Sequence, residues 1–330
     1  MDHKIISRHF FRNWNSHPVE TGQELSLGKK TLSFVETRMV HWPDSMFTYL
    51  KEDKILFSSD GFGQHFAGPE RFDDQIGEAI MVHAKKYFAN ILLLYVPLIK
   101  KYLKNLIDAG MEFNMICPDH GIIWRKDPAK IINAYVQWCK QIPEKKAVVI
   151  YDTMWQSTEK MAEAIAAGIN KEGVPAKPLH LRKWHRSEVM TEVFDAKAIV
   201  VGGPTLNNGL FPSLADFLSY MKGLKPLNKI GGAFGSYGWS GDAVKIITQE
   251  LESMKFEIID PIKDEKEQEA VGLGIPAVQV NAIEKDKIEL KRVYMGLAIL
   301  FENKREVMPI IQSTQNLEYE IKTTFKNVSF

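Results

Sequence analysis

The stretch that decides the fold of this chain is Ala147–Ala166, AVVIYDTMWQSTEKMAEAIA. Its first four residues are apolar and mostly β-branched, which predicts a buried parallel strand. From residue 161 onward, apolar residues recur at helical spacing opposite charged ones, which predicts an amphipathic helix. The stretch is therefore a strand that feeds a helix through a tight polar turn.

The turn at residues 152–158, DTMWQST, is rich in hydroxyl groups. A helix that starts here leaves free N–H groups in its first turn, and its dipole favours negative charge. Thr153, Ser157 and Thr158 add hydroxyl donors, so the turn predicts an anion site. The alternative is a hydroxyl-rich helix cap with nothing bound, because serine and threonine cap many helices.

The missing motifs narrow the choice of anion. The chain has no GxxxxGK[ST] motif for a nucleoside triphosphate, and no GxGxxG motif follows this strand. The turn also contains no basic side chain, which suits a single phosphate monoester held by neutral donors. Trp155 adds an aromatic face beside it. A phosphate next to a flat ring indicates riboflavin 5′-phosphate, FMN.

Strands and helices alternate after this stretch, which predicts an α/β fold with a doubly wound parallel sheet and a ligand at the carboxyl ends of its strands. We expect strands at 176–181, 198–202, 229–234 and 256–259, and helices at 212–221 and 242–254. Residues 278–280 are expected to resume the fifth strand, and residues 286–301 to form the last helix.

Two further loops follow strands of this sheet, GGPTLNNG at 202–209 and GSYGWSG at 235–241. Both offer small residues and backbone donors, and the second adds aromatic surface. Convergence of three such loops is more specific than any one of them. The predicted cofactor-binding residues are Thr153, Met154, Trp155, Gln156, Ser157, Thr158, Pro204, Thr205, Leu206, Asn207, Asn208, Gly209, Ser236, Tyr237, Gly238, Trp239 and Gly241.

The first part of the chain carries mixed strand and helix signals. Residues 1–17 resemble the end of a helix, a hairpin is expected over 24–35, and a second strand pair over 47–49 and 54–57. Helices follow at 75–88, at 89–109 with a kink at Pro97, and at 128–139, and a strand at 111–116. The polar linker at 141–146 predicts a domain boundary, with domains at 1–142 and 143–330.

Composition excludes several classes of protein. The 330 residues carry a formal net charge of +1, which indicates neither a nucleic-acid groove nor a polybasic membrane patch. Two cysteines are too few for a disulfide scaffold, and no CxxC pair is present. The longest apolar run, 91–99, is too short for a membrane span, and the first residues lack a signal-peptide core. We expect a cytoplasmic protein.

Long motifs from both halves resemble one family. YDTMWQSTEKMA, GGPTLNNG and FGSYGWSG are similar to the three FMN loops of the flavodiiron proteins. HWPDSMFTYL, SSDGFGQH and CPDHGIIW resemble the metallo-β-lactamase-like domain of the same family. The resemblance implies a flavodoxin-like domain preceded by an incomplete metallo-β-lactamase-like αβ/βα domain.

The resemblance also implies chemistry. Flavodiiron proteins reduce dioxygen to water or nitric oxide to nitrous oxide at a non-haem diiron site. By position, His41 and His120 match histidine ligands and Asp60 the bridging carboxylate. The family's HxExDH cluster is missing, and the motif order places Met1 downstream of it, so we expect too few ligands for two irons.

The family's arrangement implies partners. A rubredoxin, or a reduced deazaflavin coenzyme in a methanogen, would supply electrons, and a head-to-tail homodimer would bring Trp42 between flavin and metal. Two other functions stay open. One is an FMN-binding electron-transfer module with a metal-free first domain. The other is a hydrolase, which the FMN loops and the missing HxHxDH motif disfavour.

Overall fold

The computed structural model describes residues 17–237 and 241–259, residues 8, 10 and 11, and the backbone of strands between 277 and 308. The chain divides into two compact units, Met1–Ile142 and Pro143–Phe330. The division falls in the polar linker at 141–146. Of the helix expected over 1–17, residues 8 and 10 are helical and most of the rest lies outside the described residues.

The first unit contains a five-stranded sheet in the order β1-β2-β3-β4-β5. Its first three strand pairs are antiparallel, and β4 and β5 are parallel. The predicted hairpin and second strand pair are confirmed, and the strand expected from residue 111 begins later, at Met115. The strands are β1 (Glu24–Ser26), β2 (Thr31–Glu36), β3 (Met46–Leu50), β4 (Ile55–Phe57) and β5 (Met115–Cys117).

The helices of the first unit differ in detail from the prediction. The single helix expected over 75–88 is interrupted at Gly77, whose positive φ of 77° ends the first segment. Pro97 lies in the first turn of a helix, where its missing N–H costs little, and not at a kink. The helices are α1 (Asp73–Ile76), α2 (Ala79–Tyr87), a π-helical turn (Phe88–Leu92), a 3₁₀ turn (Leu93–Tyr95), α3 (Val96–Asp108) and α4 (Pro128–Trp138).

The helical stretch Ala79–Asp108 is long and apolar enough to cross a membrane by length and composition alone. Helices in the core of soluble proteins meet the same criterion, so this is weak evidence for a membrane span. Residues along the stretch, among them Ile80, Leu92 and Leu103, are buried in the first unit.

The second unit is built on a fully parallel sheet in the order β10-β9-β8-β6-β7. Counted along the chain, this is the 2-1-3-4-5 order of flavodoxin-like folds, with its switch point between β6 and β8. The predicted doubly wound α/β fold is thus confirmed. The elements are β6 (Glu144–Tyr151), α5 (Ser157–Lys171), β7 (Ala176–His180), α6 (Arg186–Asp195), β8 (Ala196–Gly202), α7 (Pro212–Leu224), β9 (Ile230–Phe234), α8 (Asp242–Ser253) and β10 (Glu257–Ile258).

The core of the second unit lies around β6, as its apolar run predicts. Val149 at 0% exposure and Tyr151 at 4% pack in one cluster with Ala162 and Ala166 of α5. Burial of this strand fixes where its carboxyl end, and therefore the following turn, must lie.

Three predictions for the second unit need correction. Helix α6 has no counterpart in the sequence prediction, which passed from one strand directly to the next. The helix expected over 286–301 is wrong, because β12 and β13 occupy that range. Residues 278–280 pair antiparallel with β12 and do not resume the fifth strand. The strands are β11 (Ala277–Glu284), β12 (Lys287–Tyr294), β13 (Leu297–Phe301) and β14 (Lys304–Met308).

Candidate functional site

Three loops meet at the carboxyl end of the parallel sheet. Loop 1 (152–158) follows β6, loop 2 (203–209) follows β8, and loop 3 (235–241) follows β9. The Ser236 hydroxyl oxygen lies 3.2 Å from that of Ser157 and 2.9 Å from that of Thr158. The Thr205 N–H donates to the Ser236 carbonyl at 3.0 Å. Ser236 thus joins loop 3 to both of the other loops.

Loops 2 and 3 approach each other through their backbones. A Cβ at Gly235 would lie 2.5 Å from the Gly203 carbonyl oxygen, closer than side chains allow, so this position requires glycine. Loop 2 turns through Asn207 and Asn208 at φ of 51° and 57°. These are the positive values that a tight turn of this kind needs and that asparagine tolerates. The wall of the site is therefore set by main-chain geometry.

Loop 1 presents unpaired polar groups. Helix α5 begins after Gln156, which has a left-handed backbone with φ 66° and provides no side-chain cap. The Thr153 hydroxyl is buried and, within the described residues, has no hydrogen-bond partner. A buried unpaired hydroxyl is costly, and in a turn that the sequence predicts to bind an anion, the Thr153 hydroxyl is a donor that a ligand could use.

Exposed apolar side chains border these loops. Trp155 is 87% exposed, Tyr237 54% and Met154 41%. Gly241 lies just before α8. A Cβ atom at this position would lie 3.4 Å from the Tyr237 ring. The predicted residues Gly238 and Trp239 lie outside the described part of the chain. Large aromatic surfaces beside an anion site suit a flat ring.

A buried charge cluster surrounds Asp152, the first residue of loop 1, and sequence reasoning missed it. Asp152, fully buried, accepts hydrogen bonds from Thr153 N–H at 2.6 Å and Arg182 Nε at 2.8 Å. His180 Nε2 lies 3.1 Å away and the Ser213 hydroxyl also donates. Burial raises the pKa of Asp152, but these contacts outweigh it and hold the pKa below its ordinary value. The carboxylate is therefore ionised at neutral pH.

In the first unit the three predicted metal ligands lie together. Asp60 Oδ2 is 3.4 Å from His41 Nε2, and Asp60 Oδ1 is 3.2 Å from His120 Nε2. Each carboxylate oxygen thus faces a different imidazole. The Tyr87 hydroxyl lies 3.4 Å from Asp60 Oδ1, and burial followed by this carboxylate raises the pKa of Tyr87.

His65 also borders this group and was not among the predicted ligands. Its ring centroid lies 5.7 Å from that of His120 and 4.9 Å from that of Tyr87. Burial, and then the neighbouring His120, lower the pKa of His65. Even so, no group of three or more His, Cys, Asp or Glu residues in the described part of the chain has the arrangement of a metal site.

Comparison with protein families assigns both units. Residues 149–274 match the flavodoxin family, and residues 3–121 match the ODP family beta lactamase. The two matches fall on the two units in the order that the sequence motifs indicate.

Solved structures give the same assignment at the level of the whole chain. The rubredoxin oxygen:oxidoreductase of Desulfovibrio gigas is 35% identical, with a TM-score of 0.78 over 99% of this chain and 71% of its own. The flavodiiron protein of Giardia intestinalis is 37% identical, with a TM-score of 0.73 over 78% and 63%. The chain belongs to the flavodiiron protein family.

Curated members of the flavodiiron family include the nitric oxide reductase of Moorella thermoacetica. This chain is 47% identical to it over 248 residues, which cover 75% of this chain and 62% of the relative. Across three such relatives the chain spans 62%, 63% and 66% of the relative's length. The relatives are therefore longer than this chain, and their full activity does not follow from the match alone.

Proposed function

We propose that the second unit binds FMN across loops 1, 2 and 3. The observation that carries this proposal is the meeting of three loops on Ser236 beside the buried, unpaired hydroxyl of Thr153. The flavodoxin match over 149–274 supports it independently.

The residues present fit the parts of FMN. The hydroxyls of Thr153 and Ser157 and the N–H groups at the start of α5 would hold the phosphate. Trp155 and Tyr237 would flank the ring. Bound FMN would supply a reservoir of two electrons that can be passed on singly. The loops would bind and orient the ring beside the exposed side chains of Trp155 and Tyr237.

The first unit has ligand side chains of the kind that bind iron, but too few of them for two irons. Imidazole and carboxylate are ligands that suit non-haem iron, and Asp60 lies between His41 and His120 as a bridging group would. These three residues alone are too few ligands for two irons.

By family membership we propose a cytoplasmic oxidoreductase that reduces dioxygen to water or nitric oxide to nitrous oxide. Residues 1–142 would be a partial metallo-β-lactamase-like domain, and residues 143–330 a flavodoxin-like domain with a C-terminal extension. A rubredoxin, or a reduced deazaflavin coenzyme, would donate the electrons, and a head-to-tail homodimer would join flavin to metal. Two relatives, a rubredoxin-oxygen oxidoreductase and a nitric oxide reductase, support both acceptors and the rubredoxin donor.

A second candidate is an FMN-binding electron-transfer module without metal. It is favoured by the lack, among described residues, of a metal-binding group of three or more ligands. In that case Asp60, His41 and His120 would form a hydrogen-bonded cluster and not a metal site.

Flavin analysis tests the common part of both candidates. We expect purified protein to be yellow with about one FMN per chain, since one site is present. Changing Thr153 and Ser157 together to alanine should lower flavin retention, whereas changing Ser253, which lies at the far end of α8, should not. A colourless protein that does not take up added FMN would refute the proposal.

Metal analysis separates the two candidates. If the chain is a reductase, the flavin-loaded protein should retain supplied iron, and nitric oxide should then oxidise the reduced iron-loaded protein faster than the reduced iron-free protein. Iron-free protein that still exchanges electrons with reduced rubredoxin would instead support the electron-transfer module.

A further inference from the structure

Two charged neighbours, Asp152 and Arg182, hold the backbone of Thr153. The Thr153 N–H donates to Asp152 at 2.6 Å, and the Thr153 carbonyl accepts from Arg182 Nη2. Both backbone groups of Thr153 are thus occupied, and its side-chain hydroxyl is the polar atom left for a ligand.

Arg182 contacts both Asp152 and the backbone of Thr153. Its Nε contacts the Asp152 carboxylate at 2.8 Å, while its Nη2 reaches the Thr153 carbonyl. A planar guanidinium can make two such contacts in a fixed geometry, which a lysine cannot. Arg182 lies just after β7, and the parallel pairing of Tyr151 with His180 brings it beside loop 1.

Arg182 also places a positive charge where the Asp152 carboxylate would otherwise repel a bound phosphate. Asp152, fully buried and ionised, is the first residue of loop 1, which would bind a phosphate and contains no basic residue. The Asp152 carboxylate and a phosphate bound in this loop would carry like charges, and a cation beside them would offset their repulsion. The Arg182 side chain is 55% exposed and contacts both the Asp152 carboxylate and the Thr153 carbonyl of loop 1.

We propose that Arg182 is a positioning residue for the flavin site: paired with Asp152, it sets Thr153 to receive the 5′-phosphate and so makes the site prefer FMN over riboflavin. This inference rests on the proposed FMN site. It concerns the phosphate end of the ligand, because Arg182 and Asp152 contact the backbone of Thr153 at the start of loop 1.

The test compares two flavins that differ only in the phosphate. The full chain is stripped of flavin and titrated with FMN and with riboflavin, as the parent protein and as Arg182→Met. We expect the Kd for FMN to rise about tenfold, as for one lost charge-assisted hydrogen bond, and the Kd for riboflavin to change less than twofold. Riboflavin binding also reports that the variant is folded.

Arg186→Met is the matched control. Arg186 lies four residues further on and pairs with Asp216 at 3.2 Å, away from loop 1. It should leave the Kd for both flavins unchanged. Arg182→Lys keeps the charge but not the double contact, and we expect it to recover only part of the FMN affinity. Full recovery would overturn the positioning role.

A double-mutant cycle shows whether Arg182 acts through Thr153. If it does, Arg182→Met should add little to the loss of FMN affinity already caused by Thr153→Val. Additive losses, or equal weakening of FMN and riboflavin, would overturn the inference while leaving the FMN site intact. If the parent protein binds neither flavin, the proposed function itself fails.

Discussion

Replacing Thr153 by valine should have opposite effects on the empty and the flavin-loaded protein. Valine keeps the shape of threonine but removes a hydroxyl that is buried and unpaired. An unsatisfied buried polar group costs about 1–3 kcal/mol, so its removal should stabilise the flavin-free second unit by about 1 kcal/mol. For a unit of this size, that free-energy gain raises the Tm by about 2–4 °C.

The same substitution should weaken FMN binding. A hydrogen bond to a charged phosphate contributes about 1.5–3 kcal/mol, which corresponds to a loss of about tenfold or more in affinity. Thermal unfolding of the flavin-free full chain gives the first quantity, read from the transition that added FMN shifts upward. Fluorescence titration with FMN gives the second.

Thr158→Val is the control with the opposite expectation for the empty protein. Its hydroxyl is equally buried but lies 2.9 Å from that of Ser236, so removing it breaks a made hydrogen bond and should lower the Tm. If Thr153→Val instead lowers the Tm of the flavin-free protein and leaves FMN affinity unchanged, the hydroxyl has a structural partner and the reasoning is refuted.

Three further predictions concern other parts of the molecule. Gly235→Ala places a Cβ against the Gly203 carbonyl and should displace loop 3, with a loss of FMN affinity that titration would measure; parent-like affinity would contradict the close approach. Burial lowers the pKa of Lys229 to about 7, so the native state holds fewer protons than the unfolded state above that pH. The free energy of unfolding should therefore rise from pH 7 to 10 in the parent, by up to about 1.4 kcal/mol per pH unit, and not in Lys229→Met, as urea titrations would show. Asp60→Asn should abolish iron retention whereas Asp108→Asn should not; equal iron content in both would exclude Asp60 as a ligand.

The sequence was most informative where local pattern and burial agree. The apolar run before residue 152 and the helical spacing after it placed loop 1 correctly, because a strand buried at 0–4% exposure tolerates few residue types. Helix α6 was missed, although Val189, Met190 and Val193 recur at helical spacing and are buried. A polar, basic stretch at 182–186 precedes it and suggests a loop.

Other features depend on pairings that a single sequence does not display. Arg182 and Asp152 are 30 residues apart and meet because β6 and β7 are neighbours in parallel register. The erroneous helix at 286–301 has a similar origin. Ile288 and Leu290, like Leu297 and Ile299, are spaced by two, which is a strand pattern, and the longer spacing between the two pairs was mistaken for helical periodicity.

The contact between loops 2 and 3 differs in kind from the contact between loops 1 and 3. Loop 2 contacts loop 3 through main-chain atoms, at Thr205 and Ser236, whereas the hydrogen bonds between the described residues of loops 1 and 3 join hydroxyl groups, those of Ser157 and Thr158 with that of Ser236. Water can replace each hydrogen bond between hydroxyl groups separately. Breaking the backbone contact between loops 2 and 3 requires the ends of β8 and β9 to move. Separating loop 1 from loop 3 would therefore require less rearrangement of the backbone than separating loop 2 from loop 3.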